Sequence, residues 1–364
     1  MRKKEISKKS LIGLKTNKMN MNPPKTNYIS LLSVISAIAV VVLHTNGIFW
    51  NFSNEPYWFG ANIIECLFYF AVPIFFMISG ITLLNYNERY STKTFFIKRI
   101  NKTLIPFLFW SLIGLLYCLL RHTIHLKDLN FVYIINGILN TSFVQIYWFF
   151  IPLFLWYAVV PIFAHIDKNK RDFLYLFVVA MFFVINSLIP FLNNVFSLNL
   201  NYNLSFNIGG QAFFYALTGY LISKVNFSKK SQIIIAITSF LGLMLHIFGT
   251  YYLSVNAGKI VDTYKGYFNV PCILYSLGIF VFIKNISDTV FNNKILNKIV
   301  FFLKDYTLAI YLLHWFILDI IVYLAKPDMK YLINRLGLPF IIIPLCILIT
   351  YVIRKIPILK RILP

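Results

Sequence analysis

Tyr28-Ile29-Ser30-Leu31-Leu32-Ser33-Val34-Ile35-Ser36-Ala37-Ile38-Ala39-Val40-Val41-Val42-Leu43-His44 is an apolar run closed by a histidine. A bilayer-crossing helix takes about 20 predominantly apolar residues, and this run with its flanks meets that length. Histidine inside a spanning helix is costly to place, so His44 is a functional-site candidate. The competing reading is an interfacial imidazole that reaches toward the headgroups.

The rest of the chain repeats the pattern. Of 364 residues, 59% are hydrophobic and only 13% are charged, against about 25% charged in an ordinary soluble domain. Apolar blocks fall over about 28–48, 60–84, 104–121, 146–163, 173–190, 208–223, 232–252, 268–284, 304–325 and 336–353. The expectation is an all-α, polytopic integral membrane bundle of about ten transmembrane helices. Blocks six and eight are short and hold Gly209-Gly210-Gln211 and Pro271 with Gly278, which suits helices enclosed by protein. The run after the basic N-terminal stretch is longer than a signal-peptide core and lacks a small-residue cleavage site, so the first span is expected to be retained.

Charge fixes the orientation. The net charge is +22, yet the Lys and Arg residues lie between the apolar blocks, so topology explains them better than nucleic-acid binding does. With ten spans, 27 of the 34 fall in the two tails and the even-numbered loops, leaving 7 in the odd-numbered loops. By the positive-inside rule both termini are cytoplasmic. The expected division is a basic cytoplasmic tail over 1–27, whose composition implies disorder, a membrane domain over 28–353 and a basic cytoplasmic tail over 354–364. Cys66, Cys118, Cys272 and Cys346 all lie in apolar blocks without metal-ligand or redox spacing, so no metal is expected.

Four constellations can carry chemistry. His44 near the end of the first span and Glu65 near the start of the second share a depth on antiparallel neighbours. They are expected to pair, either as an oriented general base or as a polar clamp between helices. Val72-Pro73-Ile74-Phe75-Phe76-Met77-Ile78-Ser79-Gly80 predicts a kinked or interrupted helix, lining a cavity or accommodating packing. Lys98, Arg99 and Lys102 predict one basic face, suited to donor phosphates or to anionic lipid headgroups. Tyr311 and His314 share a face of the ninth span. Aromatic residues in the odd loops, Trp50, Tyr57 and Trp58 among them, suit either membrane anchoring or sugar stacking.

Taken together, these segments resemble the acyltransferase family 3 membrane proteins, multispanning bacterial enzymes that O-acylate surface and secreted glycans. The resemblance covers about residues 28–353. It rests on Ile38-Ala39-Val40-Val41-Val42-Leu43-His44, the Val72 to Gly80 segment, Lys98-Arg99 to Pro106, Tyr147-Trp148-Phe149 and Tyr306 to His314. It implies an O-acetyltransferase of the bacterial plasma membrane, acting on a cell-surface polysaccharide or its lipid-linked precursor. Acetyl-CoA would be the donor, bound near Lys98, Arg99 and Lys102 at the cytoplasmic side. His44, polarised by Glu65, would act as general base on a sugar hydroxyl or would relay the acyl group, with Tyr311 and His314 as candidate oxyanion donors. The family commonly has an arginine about eleven residues before that histidine, where this chain has Ser33. An exporter or flippase of the same superfamily is the alternative.

Overall fold

The computed structural model describes residues 27–364 except 202, 209 and 358, and its described residues form helices without strands. The expected basic N-terminal tail lies outside them up to its last residue, Asn27. Nine helical segments are long and apolar enough to span a bilayer.

The first, α1 (Asn27–Thr45), is the bundle's axis. It packs against α3 (Ala71–Leu83), α13 (Val270–Asn292), α14 (Lys294–Lys304), α15 (Thr307–Ala325) and α17 (Pro339–Arg354). His44 is therefore carried into the middle of the protein.

The second crossing is interrupted as Pro73 predicts. Helix α2 (Pro56–Phe68) stops, Tyr69 and Phe70 form a turn, and α3 begins at Ala71. Proline has no N–H to return to the carbonyl four residues earlier. Near the break, the Leu67 carbonyl accepts from the Tyr275 hydroxyl at 2.9 Å.

The third crossing joins α4 (Thr92–Arg99) through a wide turn at Ile100–Leu104 to α5 (Ile105–Leu120). A short surface helix α6 (Phe131–Leu139) precedes α7 (Phe150–Ala164), which is opened by a tight turn at Gln145–Phe149. The fifth crossing is α8 (Lys168–Phe182) continuing into α9 (Ile189–Val195); the seventh is α11 (Lys229–Met244) continuing into α12 (Thr250–Ala257). These two are among the least enclosed, exposing Phe173, Phe177, Ile233 and Phe240, as lipid-facing helices do.

Between them lies α10 (Ala212–Lys224), too short to count among the nine, and nearly all buried. It nevertheless crosses the bundle. Gln211, just before it, shares a hollow with Trp148 and Tyr267, while Lys224 at its other end pairs with Asp172 of α8 at 2.7 Å. Its last carbonyls, at Ile222 and Ser223, accept from Lys284 Nζ of α13 at 3.2 and 2.8 Å. Close approach to α3 encloses it: a Cβ on Gly80 would stand 1.8 Å from the Ala216 carbonyl oxygen, and one on Gly219 would stand 2.5 Å from Met77 backbone.

A short helix α16 (Leu332–Gly337) precedes α17. Arg354, ending α17, donates to the Asp305 carbonyl at 2.8 Å, and Ser33 in the first turns of α1 meets Thr307 at 3.4 Å. The start of α1 and the end of α17 thus share one face. That face also holds Arg171, buried and stapled to Asn85 and to the Ala164 carbonyl at 2.8 Å each.

Candidate active site

Two cavities meet inside the bundle. The outer one, about 410 Å³, is bordered by His44, Glu65, Gln145, Trp148, Tyr267 and Trp315. The one on the basic face, about 210 Å³, is bordered by Ser33, Ser79, Arg99, Lys102, Tyr157 and Thr307. Phe149 and Tyr311 line both, so they form the partition.

His44 is held from two directions. Its Nδ1 lies 2.8 Å from the Val40 carbonyl and 3.1 Å from Nε2 of His314. His314 Nδ1 in turn lies 2.9 Å from the Ile310 carbonyl. A carbonyl only accepts, so each Nδ1 carries the proton, the tautomer following from the hydrogen-bond network. His314 Nε2 is then the acceptor for His44 Nδ1–H. His44 Nε2 is left with a free lone pair, on a residue that borders the outer cavity. Just beyond His44, Thr45 donates to the Arg335 carbonyl at 2.7 Å and Asn46 Oδ1 accepts from Arg335 at 3.1 Å. Buried Arg335 thereby anchors the end of α1.

Glu65 borders the same cavity as His44, but its partner is not His44. Its Oε1 pairs with Lys265 Nζ at 3.1 Å, both side chains being about 98% buried. Lys265 sits among aromatic faces, with Nζ 3.5 Å from the Tyr69 ring centre, 4.7 Å from Trp50 and 5.1 Å from Phe49. Glu65 Oε2 makes no hydrogen bond among the described residues. The Asn46 amide lies beside Glu65, with Nδ2 also donating to the Ala61 carbonyl at 2.8 Å and Oδ1 accepting from Arg335 at 3.1 Å.

Tyr311 and His314 do not offer the donors expected of them. The Tyr311 hydroxyl donates to the Ile146 carbonyl, and His314 spends its N–H on Ile310. Tyr147 reciprocates across the same contact, donating to the Leu312 carbonyl at 2.7 Å. These bonds fix the opening turn of α7 against α15, and with it Trp148 and Phe149. Among the described residues lining the outer cavity, donors without a hydrogen bond include the Gln145 side-chain amide and the Trp148 indole N–H. Tyr267 stacks between Trp148 (5.5 Å, 27°) and Tyr69 (4.2 Å, 2°). Burial pushes its phenol above the ordinary range, which keeps it protonated.

The three expected basic residues separate. Arg99 and Lys102 line the basic-face cavity. The Arg99 guanidinium lies 5.9 Å over Phe95 and 5.7 Å over Tyr157, and its Nε is buried without a partner among the described residues. Lys98 is exposed and points away, 3.9 Å over the Tyr90 ring. Ser33 borders the same cavity as Arg99 and Lys102. Among the described residues, no group of three or more His, Cys, Asp or Glu is placed to hold a metal ion.

A model of the family described as an acyltransferase domain matches residues 26–355. The chain belongs to this acyltransferase family. The match runs across all nine long helices, so both cavities lie within the acyltransferase domain. No curated protein and no solved structure matched the chain. The protein is a multi-pass membrane acyltransferase.

Sequence reasoning did not single out Lys265 or Arg335 at this site. Both were counted only as loop charges. Lys265 carries a local signal, a lone lysine within Tyr264-Lys265-Gly266-Tyr267. Arg335 carries none beyond its charge.

Proposed function

We propose that this acyltransferase moves an acetyl group from acetyl-CoA to a hydroxyl of a cell-surface glycan or its lipid-linked precursor, in the bacterial plasma membrane. The observation that carries the reading is the pair of cavities back to back, cationic on one face, aromatic with a free imidazole nitrogen on the other. The positive-inside rule turns the basic face to the cytoplasm, where acyl-CoA is found.

On this reading Arg99 and Lys102 hold donor phosphates, since guanidinium and ammonium groups bind phosphate through charge-assisted hydrogen bonds. The thioester arm passes between Phe149 and Tyr311 and presents its carbonyl carbon beside His44. Nε2 of His44 takes the proton of the acceptor hydroxyl as its oxygen attacks that carbon. The Nδ1–H bond to His314 steadies the cation that forms, the role an acceptor behind a catalytic histidine performs elsewhere. Trp148 N–H and the Gln145 amide are the donors available to the oxyanion. Collapse breaks the carbon–sulfur bond, and the proton on His44 passes to the departing thiolate. Glu65 acts through Lys265, holding the outer loop over the cavity, and does not act through His44.

The test uses the full-length protein in nanodiscs and in cells. Thiol release from acetyl-CoA should depend on a glycan acceptor, and surface glycan should carry base-labile ester signals by NMR that disappear with His44→Ala. Loss of surface glycan with an unchanged ester content per sugar would overturn this reading in favour of export.

A further inference from the structure

The outer cavity does not end at Trp315. A second hollow of about 290 Å³ adjoins it, and Gln145 and Trp315 line both. The two differ in chemistry. The His44 hollow has flat apolar walls from Trp148 and Tyr267, and a buried carboxylate oxygen, Glu65 Oε2, that makes no hydrogen bond among the described residues. An aromatic face with a lone acceptor beside it suits a pyranose ring, whose C–H face stacks and whose hydroxyl donates.

The second hollow mixes apolar lining, Phe143 and Cys118 among it, with a preset polar group. Asp319 Oδ2 accepts from the Tyr117 hydroxyl at 2.5 Å and lies 3.6 Å from Arg121 Nε. The Arg121 guanidinium rests 3.6 Å over the Tyr323 ring, and the Thr123 and Ser142 hydroxyls complete the lining. The terminal nitrogens of Arg121 form no hydrogen bond among the described residues, while its charge is balanced by Asp319. Such a surface offers donors and acceptors without net charge. It disfavours an acyl chain, which would strand the free Arg121 nitrogens unpaired, and with each cation matched by a carboxylate it offers no surplus charge to draw a polyanion.

We propose that the two hollows form one acceptor cleft with two subsites: the His44 hollow takes the sugar residue that is acylated, and the Arg121–Asp319 hollow takes the next residue of a neutral glycan chain. Gln145 sits at the junction, within reach of the linkage between them. The inference rests on the glycan acceptor proposed above and adds that the acceptor is recognised as a chain.

Binding is read without donor, from quenching of intrinsic tryptophan fluorescence of the full-length protein in nanodiscs. The probes are glucose with cellobiose, and N-acetylglucosamine with chitobiose. In at least one pair the disaccharide should bind tenfold or more tightly than its monosaccharide. Asp319→Asn and Arg121→Gln should erase that advantage while leaving monosaccharide binding at the parent value. Ser142→Phe, which fills the second hollow without touching the ion pair, should do the same and covers the case in which either charge variant misfolds. Equal binding of mono- and disaccharide in both pairs, or equal weakening of both by Ser142→Phe, would overturn the cleft. Acyl transfer is measured separately. A disaccharide advantage without any acetyl transfer would sink the transferase chemistry and keep the cleft, whereas transfer to both sugar lengths with equal KM would do the reverse.

Discussion

Nε2 of His314 stands 3.1 Å from Nδ1 of His44, joining α15 to α1 at the one place where an imidazole nitrogen is left free toward the outer cavity. The two rings are not equivalent. His44 borders the cavity, whereas His314 is fully buried behind it and has both nitrogens engaged. A base at the reacting hydroxyl and a positioning residue behind it should respond differently to substitution.

His44→Ala should lower acetyl transfer by about 10²–10⁴-fold, the usual contribution of general base catalysis. His314→Ala should cost less, mainly in kcat, with acceptor KM little changed. His314→Gln should recover part of the loss, because its side-chain oxygen can accept from His44 Nδ1–H. The double alanine variant should be close to His44→Ala alone, since residues acting as a unit are not additive. Steady-state kinetics normalised to folded protein checks this, and a His314→Ala loss confined to folded yield would leave His314 a packing residue.

The Glu65–Lys265 pair makes a stability prediction. Removing one partner of a buried ion pair strands the other charge, at a cost of about 3–5 kcal/mol, while replacing both is far milder. Lys265→Met should therefore lower the melting temperature markedly, and Glu65→Gln with Lys265→Met should recover much of the loss. Thermal unfolding in detergent reads both. If the double variant is no better than Lys265→Met, the pair does not set the stability of the outer loop.

These two sites show what a single sequence reveals. His44, Tyr311 and His314 are visible because each is a polar group inside an apolar run, where its cost demands a reason, and Arg99 and Lys102 because they cluster where a basic segment meets one. The break at Tyr69–Phe70 is visible because Pro73 removes a backbone donor. The partner of Glu65 is not visible. Lys265 is 200 residues away in an outer loop, and only folding brings that loop against α2. Reasoning from adjacent helices alone leads to His44, which has the right depth but already holds His314. Arg335 is hidden for the same reason. A loop arginine is ordinarily solvated, and nothing local announces that this one is buried against Asn46.

Helix α10 yields a packing prediction. It packs backbone to backbone against α3, through Gly80 of α3 and its own Gly219. A methyl at Gly80 would collide with the Ala216 carbonyl, and helix backbones cannot yield as a flexible side chain does. Gly80→Ala should cost at least the ~1–3 kcal/mol typical of overpacking. Gly47, which has open space around its Cβ direction, supplies the control. Fluorescence-detected size exclusion should show loss of the monodisperse peak on heating for Gly80→Ala well before Gly47→Ala, and equal behaviour of the two would refute the close-approach argument.

The last prediction separates Arg99 and Lys102 from Lys98, three cations within five positions that the sequence alone treats as one patch. Two line the cavity on the basic face; the third lies exposed over Tyr90. A charge-assisted hydrogen bond is worth about 1.5–3 kcal/mol, and each 1.4 kcal/mol is roughly tenfold in affinity. Arg99→Gln and Lys102→Gln should each raise the KM for acetyl-CoA about tenfold or more, leaving acceptor KM near the parent value. Lys98→Gln should change neither. Added salt should weaken donor binding in the parent and less so in the Arg99→Gln, Lys102→Gln double variant, because fewer charges remain to be screened. A basic patch serving only anionic headgroups would behave otherwise. All three substitutions would then weaken retention on anionic vesicles alike, and donor KM would be untouched by any of them. Donor kinetics for the three single variants, measured at two ionic strengths, decides between these outcomes.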